Sequence, residues 1–223
     1  MSGGAGRRLD GRAGVAIRTG SARVAPLLID RIAFNVKRRD LIEIATVGVV
    51  ALIAVAASLM VAPGLRGLLG AGLALVMLAI AVIDARHFII PDELSAAAFA
   101  LALLDAATQW EGYALEGVAA ALLRTALLAL LFQAVRLIYR RLRRREGMGL
   151  GDVKLAGVAG AWLGWFSLPI AIELAALAAL VAYVSAQFLG GRALEGRARL
   201  PFGLFLAPSI WLGWAIEAIV FAS

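Results

Sequence analysis

The 223-residue chain has no cysteine, one histidine and little charge. Without cysteine there is no disulfide scaffold, no thiolate-ligated zinc and no thiol nucleophile. A lone histidine, His87, argues against a Ser-His-Asp triad or a multi-histidine metal site. Charged residues make up 17% of the chain, where a soluble domain carries about a quarter. Apolar residues make up 62%, which excludes disorder and fits an ordinary soluble globule poorly. The 22 Lys and Arg outnumber the 15 Asp and Glu, for a net charge of +7. In a membrane protein such an excess speaks first of topology, and only then of nucleic acid.

Seven apolar segments are long enough, or nearly long enough, to cross a hydrocarbon core of roughly 30 Å. They are Leu41–Val61, Leu65–Ile83, Asp92–Gln109, Tyr113–Leu137, Val153–Phe166, Leu168–Leu189 and Phe202–Phe221. Pro63-Gly64, Pro91, Gly190-Gly191 and Pro201 punctuate them as stops and starts. The expected fold is all-α, a polytopic transmembrane bundle of six to seven membrane helices. Residues 1–40 form a basic cytoplasmic tail and residues 41–223 the membrane domain. Within the tail, Pro26 to Val36 is a candidate surface-lying amphipathic piece. No apolar core and cleavage site follow the basic stretch as in a secretory signal.

Charge orients the bundle. With the N-terminus inside, 20 of the 22 Lys and Arg fall on the cytoplasmic side, leaving Arg66 on an outer turn and Arg124 within the fourth segment. The expected location is therefore the inner membrane, multi-pass, with a cytoplasmic N-terminus. The run from Arg136 to Arg145 then serves topology and anionic-lipid contact rather than nucleic acid.

Two connections on that side each put a carboxylate at the end of an apolar segment, Asp84 closing the second and Asp152 opening the fifth: Asp84-Ala85-Arg86-His87-Phe88-Ile89-Ile90-Pro91-Asp92, and Gly147-Met148-Gly149-Leu150-Gly151-Asp152-Val153-Lys154. Two crossings separate Asp84 from Asp152, so both return to one face and are able to meet. Two carboxylates in a partly dry site cannot both ionise comfortably. The charged member can take a proton from water while the neutral one donates to a carbonyl oxygen, which is peptide hydrolysis without Ser, Cys or metal. Gly149 and Gly151 would let an extended substrate backbone approach. The bland reading is an interfacial Asp at each helix end, with Asp152 favoured by the helix dipole. The fifth segment, at roughly 21 Å, is short for a crossing, so Asp152 is expected below the headgroup plane, with water reaching it.

The stretch GMGLGDVKLAG resembles the signature of type IV prepilin peptidases, a branch of the GxGD intramembrane aspartyl proteases. Asp84 followed by Ile90-Pro91-Asp92 is similar to the family's other catalytic stretch. Ala161-Trp162-Leu163-Gly164-Trp165 and Pro201-Phe202-Gly203-Leu204-Phe205-Leu206-Ala207 also resemble family segments, in order, so the likeness runs from about residue 45 to the C-terminus. It implies Asp84 and Asp152 as catalytic aspartates, and Gly149 and Gly151 as loop-shaping residues. Lys154 and Pro91 complete the motifs. Lys154 either balances charge, contacts substrate or snorkels. The implied substrates are prepilins and pseudopilins, with a lipid bilayer and no nucleic acid as partners, and no metal or cofactor. Bifunctional members carry an extra N-terminal domain, often with paired CxxC motifs. Here about 40 cysteine-free residues precede the first segment, as in peptidase-only members without methyltransferase activity. Leu204 stands where the family pattern often has Pro, a departure expected to say little about catalysis.

The other readings are a proton-coupled transporter using the same aspartates as a relay, and a scaffold without activity. Transport would suit inverted repeats and mid-membrane carboxylates, whereas none of the former is found and these acids lie at one face. His87 is a ligand or general base, or simply a loop histidine. Arg124 needs a partner or a wet cavity, with Glu116 and Glu173 as candidates. The five tryptophans, Trp110, Trp162, Trp165, Trp211 and Trp214, read mostly as interfacial anchors.

Overall fold

The structure, a computed structural model, describes residues 24–109, 113–144, 148–190 and 201–220. The tail before Val24, Trp110, Glu111, Gly147 and the connection 191–200 lie outside those residues. Among the described residues there are seven helices and no strands: α1 Val24–Val61, α2 Leu65–His87, α3 Asp92–Gln109, α4 Ala114–Arg143, α5 Leu150–Trp162, α6 Ser167–Gly190 and α7 Phe202–Val220. The chain is thus an all-α, multi-pass membrane bundle. It divides into two compact units, residues 1–46 and 47–223.

Several helix ends differ from the hydropathy reading, each for a local reason. α1 begins at Val24 rather than Leu41. Pro26 falls in its first turn, where a missing N–H costs no helix bond. α2 continues past Asp84 to His87, so Asp84 lies inside the last turn instead of closing it. α4 runs on through Arg140, Arg141 and Arg143, basic residues that suit the negative end of a helix dipole. α5 stops at Trp162 rather than Phe166, and Leu163 is extended. There the Gly164 N–H and the Ser167 hydroxyl both donate to Glu217 Oε2, at 3.0 and 2.5 Å, and draw the chain into a turn.

Among the described residues, five helical stretches are long and apolar enough to cross a membrane: Leu41–Val61, Leu65–His87, Ala114–Arg143, Ser167–Ala186 and Phe202–Val220. α3 and α5, with 18 and 13 residues, do not reach that standard. α5 need not face lipid, because it packs inside the larger unit. α5 lies against α3, α4 and α7, with Leu155, Ala156, Val158, Ala159 and Trp162 buried. α2 packs on α7 and α3, and α6 on α7. Leucines of α4 and α6, such as Leu123, Leu130, Leu177 and Leu180, remain on the surface, as lipid contact requires.

Small residues set these spacings. Trp214 is buried over Gly70, where a Cβ would meet its ring. Trp162 is buried too, its indole N–H donating to the Ala98 carbonyl at 2.9 Å. Neither is the interfacial anchor that its place near a helix end suggested. Trp211 donates to Ser58 Oγ at 3.0 Å, while Trp165 remains exposed.

The close approach of α5 to α4 gives a test. A Cβ on Gly160 would stand 2.6 Å from the Arg124 carbonyl oxygen and 2.7 Å from its carbon. Backbone cannot rotate away, so the overlap outweighs the roughly 1 kcal/mol that alanine gains over glycine in a helix. Gly160→Ala is expected to lose roughly 1–3 kcal/mol of stability, read as a lower Tm in detergent.

Candidate active site

Asp84 is 5% exposed in the last turn of α2. The turn ends when the Phe88 N–H bonds the Asp84 carbonyl at 2.9 Å, with Phe88 left-handed at φ 56°. Beyond it Ile89 points out, Ile90 points in, and α3 begins after Pro91. The Asp84 side chain reaches the start of α7. Its Oδ2 accepts the Leu204 N–H at 2.9 Å, and the Gly203 N–H also faces it. Leu204 therefore matters through its backbone: where the family pattern has Pro, this donor would be missing.

Asp152 occupies the first turn of α5, where its Oδ2 accepts the Gly149 N–H at 3.1 Å. This is the carboxylate half of a capping box. Burial pushes the Asp152 carboxyl up to about 6. The Gly149 bond pulls the other way, and the nearby Asp84 charge adds to the rise. The two carboxylates thus feel one another.

Ile90 packs beside both stretches, against Gly151 next to Asp152 and against Gly203 next to Asp84. It is 8% exposed. A Cβ on Gly151 would come within 2.9 Å of the Ile90 Cβ. A Cβ on Gly203 would come within 2.8 Å of both the Ile90 Cδ1 and the Asp84 Oδ2. Both glycines are spaces that the isoleucine and the carboxylate need. Asp84, Asp152, Gly149 and Gly151 are thereby gathered at one end of the bundle.

Pro91 and Lys154 lie at the margin of this group. The Pro91 carbonyl accepts the Ser95 N–H and hydroxyl at 3.2 and 3.1 Å, closing the first turn of α3. Lys154 Nζ pairs with Asp92 Oδ1 at 2.6 Å, with the side chains 47% and 71% exposed. Lys154 is thus a strap between the starts of α5 and α3, and Asp92, the first residue of α3, is its anchor. So exposed a pair contributes about 1 kcal/mol at most. His87 is exposed at the end of α2. Among the described residues no three His, Asp or Glu gather as metal ligands would.

A second polar cluster occupies the opposite end. Arg124 Nε donates to the Gly160 carbonyl at 3.1 Å and feels the Glu217 charge. The two candidates for that partnership, Glu116 and Glu173, are both exposed. Asp105, 1% exposed, accepts a hydrogen bond from the Gln109 amide. A cavity of about 50 Å³ lies among Asp105, Gln109, Arg124, Trp162 and Glu217. That is room for a water molecule.

Sequence reasoning did not bring the α7 start to Asp84. Charge already put the connection before Phe202 on the side of Asp84 and Asp152, since α5 and α6 return the chain there, but it gave no contact between Phe202–Leu204 and Asp84. Glu217 went unrecognised as a partner because Gly164 read as helix, and the break at Ser167 carried no sign of an acid on a distant segment.

A model of the type IV leader peptidase family matches residues 71–184. Among curated proteins, a prepilin leader peptidase/N-methyltransferase of Aeromonas hydrophila is 32% identical over 185 residues, 78% of this chain and 57% of the relative. One from Burkholderia pseudomallei is 33% identical over 177 residues, 76% and 52% of the two chains. The leader peptidase HopD of Escherichia coli is 43% identical over 77 residues, 34% and 49% of the two. The chain thus spans a little over half the length of the first two relatives. No solved structure gives a significant match.

The raised Asp152 value has a sign that can be checked. Its charged form is penalised in the folded protein, so stability is full below pH 4 and declines as pH rises through about 6. Asp152→Asn removes that ionisation. The variant is expected to gain Tm relative to the wild type as pH rises from 5 to 8. A gap that narrows over that range would show that Asp152 is not held in a desolvated site.

Proposed function

The chain belongs to the type IV leader peptidase family, and from that premise we propose that it is an aspartyl endopeptidase acting on prepilins or prepilin-like proteins. It would cut their leader peptides at the cytoplasmic face of the inner membrane. The observation that carries this reading is the meeting of Asp84 and Asp152 at one end of the bundle around Ile90, close enough for the charge of one to act on the other.

The two carboxylates divide the work by their surroundings. Asp84 is assigned as the base that takes a proton from water, because two backbone N–H groups face it and favour its charged form against the cost of burial. Asp152, whose carboxyl holds its proton up to about pH 6, donates that proton to the scissile carbonyl oxygen. The water oxygen bonds the carbonyl carbon, giving a tetrahedral diol. The C–N bond then breaks, Asp84 returns its proton to the leaving amine, and one diol hydroxyl returns its proton to Asp152. The pair ends as it began, with one proton between two carboxylates.

Location and topology support the same reading. The positive-inside bias would put the Asp84 and Asp152 end in the cytoplasm, with residues 1–40 as a basic cytoplasmic tail and residues 41–223 as the peptidase domain. A leader that is basic and cytoplasmic, joined to an apolar membrane helix, would present its cleavage bond at that depth. The proposal covers the peptidase step named for the relatives, not the methyl transfer.

Asp84→Asn and Asp152→Asn remove ionisation with little change of shape. Co-expressed with a prepilin, each is expected to cut leader removal by roughly 10²-fold or more. The readout is the shift of the pilin band on a gel. Leader removal at the wild-type rate by either folded variant would overturn the two-aspartate mechanism.

A further inference from the structure

We infer that the start of α7 is a third working part of the site, with the Leu204 N–H and the Cβ-free Gly203 seating the Oδ2 of Asp84 so that Oδ1 is the oxygen left to receive the water proton. This rests on the two-aspartate reading given above and adds to it a pair of positioning residues.

Two neighbouring residues act on the same carboxylate oxygen in different ways. Leu204 reaches it with a donor, at 2.9 Å. Gly203 leaves it room: a Cβ there would stand 2.8 Å from Oδ2 and 3.0 Å from Cγ of Asp84. The donor is available because N–H groups in a helix's first turn have no partner inside the helix. It is also well placed. α7 is fixed against its neighbours along its length by buried Leu206, Ala207 and Ile210, by Trp211 on Ser58, and by Trp214 over Gly70. The carboxylate is fixed from the other side by the last turn of α2. Neither partner can shift cheaply, so the oxygen that bonds Leu204 stays there and the other stays free.

The residue at 204 then sets how firmly the charged form of Asp84 is held. Proline there, as in the pattern the segment resembles, would leave the Gly203 N–H as the backbone donor facing Asp84. Leucine adds a second. A hydrogen bond to a carboxylate favours its charged form. This chain is therefore expected to keep its base ionised at a lower pH than its own Leu204→Pro variant does.

The test uses the full chain in detergent or nanodiscs with a prepilin carrying its leader and apolar helix. kcat, KM and the pH profile of kcat/KM are measured for wild type, Leu204→Pro, Leu204→Ala and Gly203→Ala. Proline is tolerated in a first helical turn, so Leu204→Pro removes the donor and spares the helix. It is expected to lower kcat about tenfold with KM within about twofold, and to move the acid limb up by about one pH unit. Leu204→Ala keeps the donor, and its acid limb coincides with that of the wild type. Gly203→Ala, which displaces the carboxylate itself, loses at least as much kcat as Leu204→Pro. If Leu204→Pro does not accumulate, replacing the 203–204 amide by an ester deletes the same N–H, with the same expected outcome. Superimposed profiles for Leu204→Pro and Leu204→Ala would overturn the inference. Leader removal by Asp84→Asn would instead overturn the two-aspartate reading, and the two failures are separate.

Discussion

An acidic side chain drawn into an apolar bundle must be met by a hydrogen-bond donor, and this chain meets three of its acids with backbone N–H groups at helix starts and turns. Asp84 receives the Leu204 N–H from the first turn of α7. Asp152 receives the Gly149 N–H at the start of α5. Glu217 receives the Gly164 N–H just before α6. Such groups are left over by the helix itself, so using them costs no other hydrogen bond. They also point along the helix axis with the positive end of its dipole. Placing an acid inside this bundle thus becomes a matter of placing a helix start beside it.

α7 takes part at both of its ends. Its first turn holds Asp84 of α2, and Glu217 near its last turn gathers the connection between α5 and α6. Between them α7 packs on α2, α5 and α6. The same helix therefore holds the Asp84 carboxylate and, through the turn after Trp162, the end of the helix that carries Asp152.

Composition and periodicity make the helices legible, since apolar runs and Pro/Gly stops are properties of single segments. They also place Asp84 and Asp152 at one end, because counting crossings needs no knowledge of packing. Partnerships between segments stay hidden. Lys154 with Asp92, Arg124 with Gly160 and Glu217, and Leu204 with Asp84 are 36 to 120 residues apart. No local pattern links such partners. The two buried tryptophans show the same limit: position near a helix end suggested the lipid interface, and only the glycine opposite Trp214 explains why it turns inward. The departure at 204 was the least informative of all as a side chain, because what counts there is an atom that every residue except proline has.

The brevity of α5 has its own effect. Thirteen residues rise about 20 Å, some 10 Å less than the hydrocarbon thickness. Facing lipid, such a rod would pinch the bilayer; enclosed by α3, α4 and α7, it leaves the surrounding lipid undisturbed.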